Sequence, residues 1–187
     1  MKQKSITVVR YIETTLQQDI GAIVKINPYL AFFLIMSGIE FMGKCLSNKK
    51  SWHSGGCSQE DFETAICQIP RFEKYKKYTS ELRKRKGKDD KMYFINPPIS
   101  LYKGLRCSLL HAMLPSSRIL LSNGTGCLRE ENKKLVIFLD TFYDDFKVAC
   151  RELVKMDWPQ KDKHQNFLII NEMVKNDFTY AVSGSTK

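Results

Sequence analysis

Arg106 and His111 stand five residues apart in the stretch that runs from Asn96 through Arg106-Cys-Ser-Leu-Leu-His111 to Pro115. One carries a guanidinium that stays charged at any physiological pH, the other an imidazole whose ordinary pKa lies near neutrality. Held on one rigid element, such a pair suits phosphate chemistry: the cation steadies developing negative charge while the ring moves a proton. No metal is needed for that, and no ligand cluster is legible. Three histidines (53, 111, 164) lie far apart and six cysteines (45, 57, 67, 107, 127, 150) contain no CxxC pair. The expectation is therefore no metal and no cofactor.

The element that must position the pair reads as a helix. Asn96 can cap, Pro97 or Pro98 suits a first turn, and Pro115 cannot continue the helix. Between them Ile99, Tyr102, Leu105, Leu109, Leu110 and Met113 recur at intervals of mostly three and four, which marks one buried face. On an ideal α-helix, positions five apart differ by about 140°, so Arg106 and His111 converge only in a groove or across a two-fold axis.

The other elements follow from periodicity. Ile6, Val9, Ile12, Leu16, Ile20 and Ile23 predict an amphipathic first helix, and Asn27-Pro28 a stop and a new start. The next helix is apolar nearly all round until Glu40, which places it at the centre of a bundle. Its unbroken apolar run ends at Met36, short of the ~20 residues that cross a bilayer, so a buried core helix and no membrane partner are expected. Glu40 reads either as a surface partner of Lys44 or as a buried functional carboxylate. Gly38 and Gly43 read as packing glycines. A short helix from Gln59 to about Gln68 is interrupted by Pro70. After Pro115 the period changes, and short apolar runs alternate with turn chemistry, with Asn123-Gly124 the strongest turn signal. Asp140 can then cap a helix to about Met156 that buries Phe142, Phe146, Ala149, Cys150 and Leu153, and a last helix is expected from about Asp162. The whole predicts one domain, 1–187, mainly α: a bundle of five to six helices with a small antiparallel β-hairpin or three-stranded insertion around 117–139.

With 187 residues, 43% hydrophobic, the chain can bury a substantial core. Cys45, Cys67, Cys107 and Cys150 fall inside apolar helical patterns, where a thiol acts as a small hydrophobe, and the N-terminus has no apolar stretch of signal-peptide length. Both point to a reducing, cytoplasmic setting. Of the net charge of +10, +6 lies between Arg71 and Lys91, where ten Lys/Arg face four acids. Arg83, Lys84, Arg85, Lys86 and Lys88 are candidate RNA-binding residues, with Tyr75, Tyr78 and Tyr93 placed to stack on bases. The competing account is a solvated basic loop whose tyrosines pack onto the core.

Arg106-Cys-Ser-Leu-Leu-His111 resembles the R-x4-6-H motif of the HEPN superfamily (higher eukaryotes and prokaryotes nucleotide-binding domains), late in a helical domain as that family places it. The family commonly has a polar residue, often Asn, directly after the Arg; this chain has Cys107. The resemblance implies a helical bundle, a homodimer, and metal-independent cleavage of RNA. In that chemistry His111 serves as acid or base on the ribose 2′-hydroxyl and leaving oxygen, Arg106 stabilises the phosphate charge, and a cognate regulator protein is an expected partner. Two other readings compete: a non-enzymatic adaptor of the same fold, in which Arg106 and His111 hold a dimer interface or tie the hairpin to the bundle, and a DNA-binding regulator using Arg83 to Lys88; the plainest role for Arg106 alone is a bridge to an acid such as Glu40 or Asp140.

Overall fold

In the computed structural model of the chain, the residues described are 6–47, 58–84, 92–158, 161 and 164–165. They fold as a mainly α-helical body with a small three-stranded sheet. Helix α1 (residues 8–26) follows a two-residue strand β1 (Ile6–Thr7), and Thr7 Oγ1 caps it by accepting from Arg10 N at 3.1 Å. Its ends are α-helical and its middle, Ile12–Asp19, is π-helical. Ile12, Leu16 and Ile20 are buried along it, as their spacing requires. Asn27 leaves helical geometry at φ −141° and caps α2 (Pro28–Leu46), its Oδ1 accepting from Leu30 N at 3.0 Å.

Helix α2 is the centre. It packs on α1, on α3 (Ser58–Gln68) and on the later helix α5 (Leu139–Lys155). By length and apolarity it could cross a membrane. Instead Ala31, Phe32, Ile35, Met36, Ile39 and Met42 are fully or almost fully buried against its neighbours, and it is the core helix that its interrupted apolar run predicts. Its two glycines are packing positions: at Gly38 an added Cβ would meet the Phe146 ring at 2.6 Å, and at Gly43 it would overlap the backbone carbonyl of Asp61.

A 3₁₀ helix, Pro70–Tyr78, follows α3 and lies on α5. Asp145 of α5, with no exposed surface, meets Arg71 Nε at 2.8 Å and Lys74 Nζ at 2.6 Å as ion pairs, and accepts from Tyr75 Oη at 2.6 Å. Two turns further along α5, Glu152 accepts from Arg71 N at 2.9 Å. This corrects the base-stacking expectation, since Tyr75 and Tyr78 are buried at 1% and 3% exposure and cannot meet a base. Much of the basic segment is also neutralised internally, because Lys76 pairs with Glu73 and Lys77 with Glu130.

The segment beyond it is not a loop throughout. Strands β2 (Glu81–Lys84) and β3 (Met92–Ile95) pair antiparallel, with Arg83 opposite Tyr93 and Lys84 opposite Met92. Of the candidate RNA-binding residues, Arg83 and Lys84 lie on β2; Arg85, Lys86 and Lys88 lie outside the described residues. At the base of the hairpin, Asn96 does not cap a helix. Its Oδ1 accepts from Ser80 Oγ at 3.0 Å and from Gln59 Nε2 at 3.2 Å, and two following prolines keep the backbone out of helical geometry. The motif helix α4 (residues 102–112) therefore starts later than its spacing suggests, capped by Ser100 Oγ, which accepts from Lys103 N at 3.2 Å. It ends where Met113 turns left-handed at φ 55°, before Pro115.

Beside Asn96, Ser80 N donates at 3.0 Å to Glu63 Oε1, while Glu63 Oε2 is buried without a partner. Burial pushes the Glu63 carboxyl above its usual range, opposed by the bonds it accepts from Ser80. A carboxyl raised on folding favours the folded state below its unfolded pKa, and that advantage is lost as pH rises through the folded pKa. Glu63→Gln keeps the Ser80 bond and removes the charge. At pH 7 it should be more stable than the parent by roughly 1 kcal/mol, with a flatter dependence of stability on pH over the acidic range, as read by urea unfolding.

The sheet departs from an all-antiparallel insertion. Its order is β4 (Ile119–Ser122), β6 (Lys134–Phe138), β5 (Arg129–Glu131), with β5 antiparallel to β6 but β4 parallel to it. The tight hairpin turn is Asn132-Lys133, both left-handed at φ 50° and 61°, as a two-residue turn between right-twisted strands demands. Asn123-Gly124 instead opens the crossover. The Gly124 carbonyl accepts from Asp140 N at 3.1 Å, and Gly126 lies on the Phe138 ring, which a Cβ would meet at 2.7 Å. Helix α5 buries the five residues expected of it, yet begins two residues before the predicted start, with Asp140 in its first turn. Where a last helix was expected, His164–Gln165 pair as a strand, β7, with β1; the rest of that stretch lies outside the described residues. Among the five described cysteines, all free thiols, Cys45 and Cys150 are buried, but Cys67 is exposed.

Candidate functional site

Helix α4 seats itself through Leu105 and Leu109, both buried, and through the Tyr102 ring, 5.7 Å from that of Phe62 on α3. Residues 102–107 of this helix are π-helical and Ser108–Ala112 α-helical. Arg106 and Cys107 thus close the π-helical part and Ser108 to His111 are α-helical, and a five-residue step of α-helix turns two side chains about 140° apart. Arg106 faces inward and His111 faces solvent.

Arg106 is bound to Glu40. Its Nε lies 2.8 Å and its Nη2 2.6 Å from the same carboxylate oxygen, Oε2, with side-chain exposures of only 16% and 12% for the two residues. Cζ of the guanidinium sits 5.7 Å from the Tyr102 ring centre, so the cation has an aromatic neighbour as well as an anionic partner. The Tyr102 hydroxyl is pushed up to about 12, first by burial and then by the nearby Cys107 thiol, to which it is hydrogen-bonded; the Arg106 charge opposes this. Glu40 is therefore buried and partnered by Arg106, not by Lys44, and of the two acids to which Arg106 was expected to bridge it is Glu40 that it meets. Among the described residues Arg106 Nη1 makes no hydrogen bond, which leaves one edge of the guanidinium open.

His111 is exposed in the last turn of α4, with no hydrogen bond or ion pair among the described residues. Around it Leu110, Met113 and Leu114 are 41%, 63% and 65% exposed. Tyr29 Oη donates to the Met113 carbonyl, which ties the start of α2 to the end of α4 and brings up Ile26, Tyr29 and Leu30, also exposed. Six of the nine large hydrophobics exposed among the described residues thus gather at one end of the motif helix. A monomer gains nothing from such a patch, whose size and apolarity suit a protein contact.

Arg106 and His111 are consequently on one helix but not in one constellation within a single chain. No cluster of three or more His, Cys, Asp or Glu able to hold a metal occurs among the described residues. Sequence reasoning anticipated Arg106, His111 and Glu40, but not the packing of Tyr102 and Cys107 beside them. The i, i+4 and i, i+5 spacing of Tyr102 to Arg106 and Cys107 was the available signal. Comparison of the chain with family models, with curated proteins and with solved structures finds no match.

Proposed function

We propose that this chain is a HEPN-like, cytoplasmic RNA-binding protein that cleaves RNA without a metal, with Arg106 and His111 forming its site at a homodimer interface. The observation that carries this reading is the exposed His111 ringed by apolar residues on the helix that holds Arg106. A two-fold contact through Leu110, Met113, Leu114 and the start of α2 sets two copies of the motif helix end side by side, supplying the convergence that one helix denies. His111 of one copy takes the proton of a ribose 2′-hydroxyl as that oxygen bonds to phosphorus, and the P–O5′ bond breaks as the protonated His111 of the second copy gives its proton to the leaving 5′-oxygen. Arg106, its plane set by Glu40 and Tyr102, answers the charge that builds on the phosphoryl oxygens. A cognate regulator protein could mask the same apolar patch.

A specific observation also favours the adaptor reading. The Arg106 to Glu40 contact joins α4 to α2 and has the form of a structural strut. The two separate in one experiment: RNA is incubated with purified protein in EDTA, beside His111→Ala and Arg106→Ala, with light scattering to give the oligomeric state. The expected result is a dimer whose cutting falls by about 100-fold or more in His111→Ala, the usual scale for losing a general acid or base. Uncut RNA with the parent protein, or equal cutting by His111→Ala, removes the nuclease assignment. An Arg106→Ala chain that melts lower and has no activity to lose assigns the pair to the strut.

A further inference from the structure

At the other end of the motif helix lies a cleft of about 540 Å³ that the site above does not use. It is lined by Pro98 and Ile99, just before α4; by Arg118, just after the chain returns; and by the Asn132-Lys133 turn with Lys134 and Glu130. The tertiary fold, not the sequence, makes this a basic site, since Arg118 and Lys133 are fifteen residues apart in the chain. Arg118 is pre-set: its Nη1 donates to the Pro98 carbonyl at 2.9 Å, which spends one donor and leaves the rest of the guanidinium unengaged among the described residues. Lys133 and Lys134 have no acidic partner among the described residues. The one carboxylate in the lining, Glu130, is already answered. It accepts from Lys77 Nζ at 3.1 Å and Tyr78 Oη at 2.9 Å, and these bonds hold it below the usual carboxylate range.

Three cations, Arg118, Lys133 and Lys134, therefore line the cleft beside one neutralised acid, with Pro98 and Ile99 as its apolar lining. The cleft has the volume of a nucleotide-sized ligand. Along the chain, Asn96 and Pro97 join its lining residue Pro98 to β3, on which Tyr93 and Ile95 are 45% and 37% exposed. Cations that meet phosphates, apolar lining residues and an exposed aromatic ring on the adjoining strand are the components of a single-strand binding track. From Tyr102 to His111 the helix advances roughly 14 Å at 1.5 Å per residue, so one strand can occupy the cleft and reach the His111 end.

We infer that Arg118, Lys133 and Lys134 bind the phosphodiester backbone of a single-stranded RNA, gripping it upstream of the site. This inference deepens the RNA reading given above and rests on it. Its test is fluorescence anisotropy with the full chain and a labelled 2′-O-methyl oligoribonucleotide, which cannot be cut, over a range of salt concentrations. K133Q/K134Q is expected to bind about tenfold more weakly near 0.1 M salt. Its plot of log affinity against log salt should be shallower by about 1.4, the loss of two phosphate contacts on a single strand. K133Q/K134Q should melt with the parent. Free nucleoside monophosphate or inorganic phosphate that displaces the oligonucleotide at equal concentration would overturn the strand assignment, and polyglutamate bound as tightly as RNA would overturn the nucleic-acid one. Parent-like binding and salt slope in K133Q/K134Q would overturn the inference while leaving RNA cleavage at His111 intact. A parent protein that binds no RNA would remove both.

Discussion

Gly43→Ala should cost about 3 kcal/mol or more, even though it replaces the poorest ordinary helix former with the best. Intrinsic propensity alone favours alanine by ~1 kcal/mol in a helix interior. Packing opposes it, because the new Cβ would stand 3.0 Å from Asp61 Cα and inside the Asp61 carbonyl, and a backbone group cannot swing aside. Helices α2 and α3 would have to separate, opening the contact around Phe62, Ala65, Ile39 and Met42, all fully buried. Overpacking usually costs 1–3 kcal/mol where side chains can adjust; a fixed backbone places this case at or beyond the upper end. For a chain of this length the melting temperature should fall by roughly 6–12 °C. Gly38→Ala is the control. There the obstacle is the Phe146 ring at 2.6 Å, a side chain, so the loss should be clearly smaller. Equal melting of parent and Gly43→Ala would mean that α2 and α3 do not cross as closely as described.

The second large effect belongs to Asp145→Ala. This carboxylate is entirely buried on α5 and holds Arg71, Lys74 and Tyr75 of the 3₁₀ helix. Removing one member of a buried ion pair typically costs 3–5 kcal/mol because the partner charge is left uncompensated. Arg71 and Lys74 are 43% and 41% exposed and can turn toward water, which discounts their share. The Tyr75 hydroxyl has no such escape and stays buried unbonded, at a cost of about 1–3 kcal/mol. A total near 3 kcal/mol is expected, read as a drop in the urea midpoint at unchanged slope. Tyr75→Phe, which removes the hydroxyl and keeps the ring beside Phe142, should lose about 1 kcal/mol alone and little more when added to Asp145→Ala. A shift below 1 kcal/mol in Asp145→Ala would show that the other contacts of the 3₁₀ helix, Glu152 with Arg71 and Glu130 with Lys77 and Tyr78, secure it without Asp145.

What the amino-acid sequence determined by itself was everything governed by local periodicity and backbone chemistry. The spacing of Ile12, Leu16 and Ile20, the cap at Asn27-Pro28, the nearly all-apolar α2 and the buried face of α5 each follow from residues within a turn or two of one another, and each stands where it was expected. Arg106, His111 and Glu40 were likewise visible as residues able to do chemistry. Tertiary structure decided which groups meet. Asn96 was lost to its helix because Gln59 and Ser80, far away in the chain, compete for its side chain. Tyr75 and Tyr78 look the same in sequence whether they face a base or the core, and it is Asp145 and Glu130 that draw them in. The parallel pairing of β4 with β6 depends on a crossover, not on the nearest turn signal. The placement of Arg106 on Glu40, 66 residues apart, and of Arg118 opposite Lys133, arises only when helices and strands pack, since charge and hydrogen bonding act through space and leave no period along the chain.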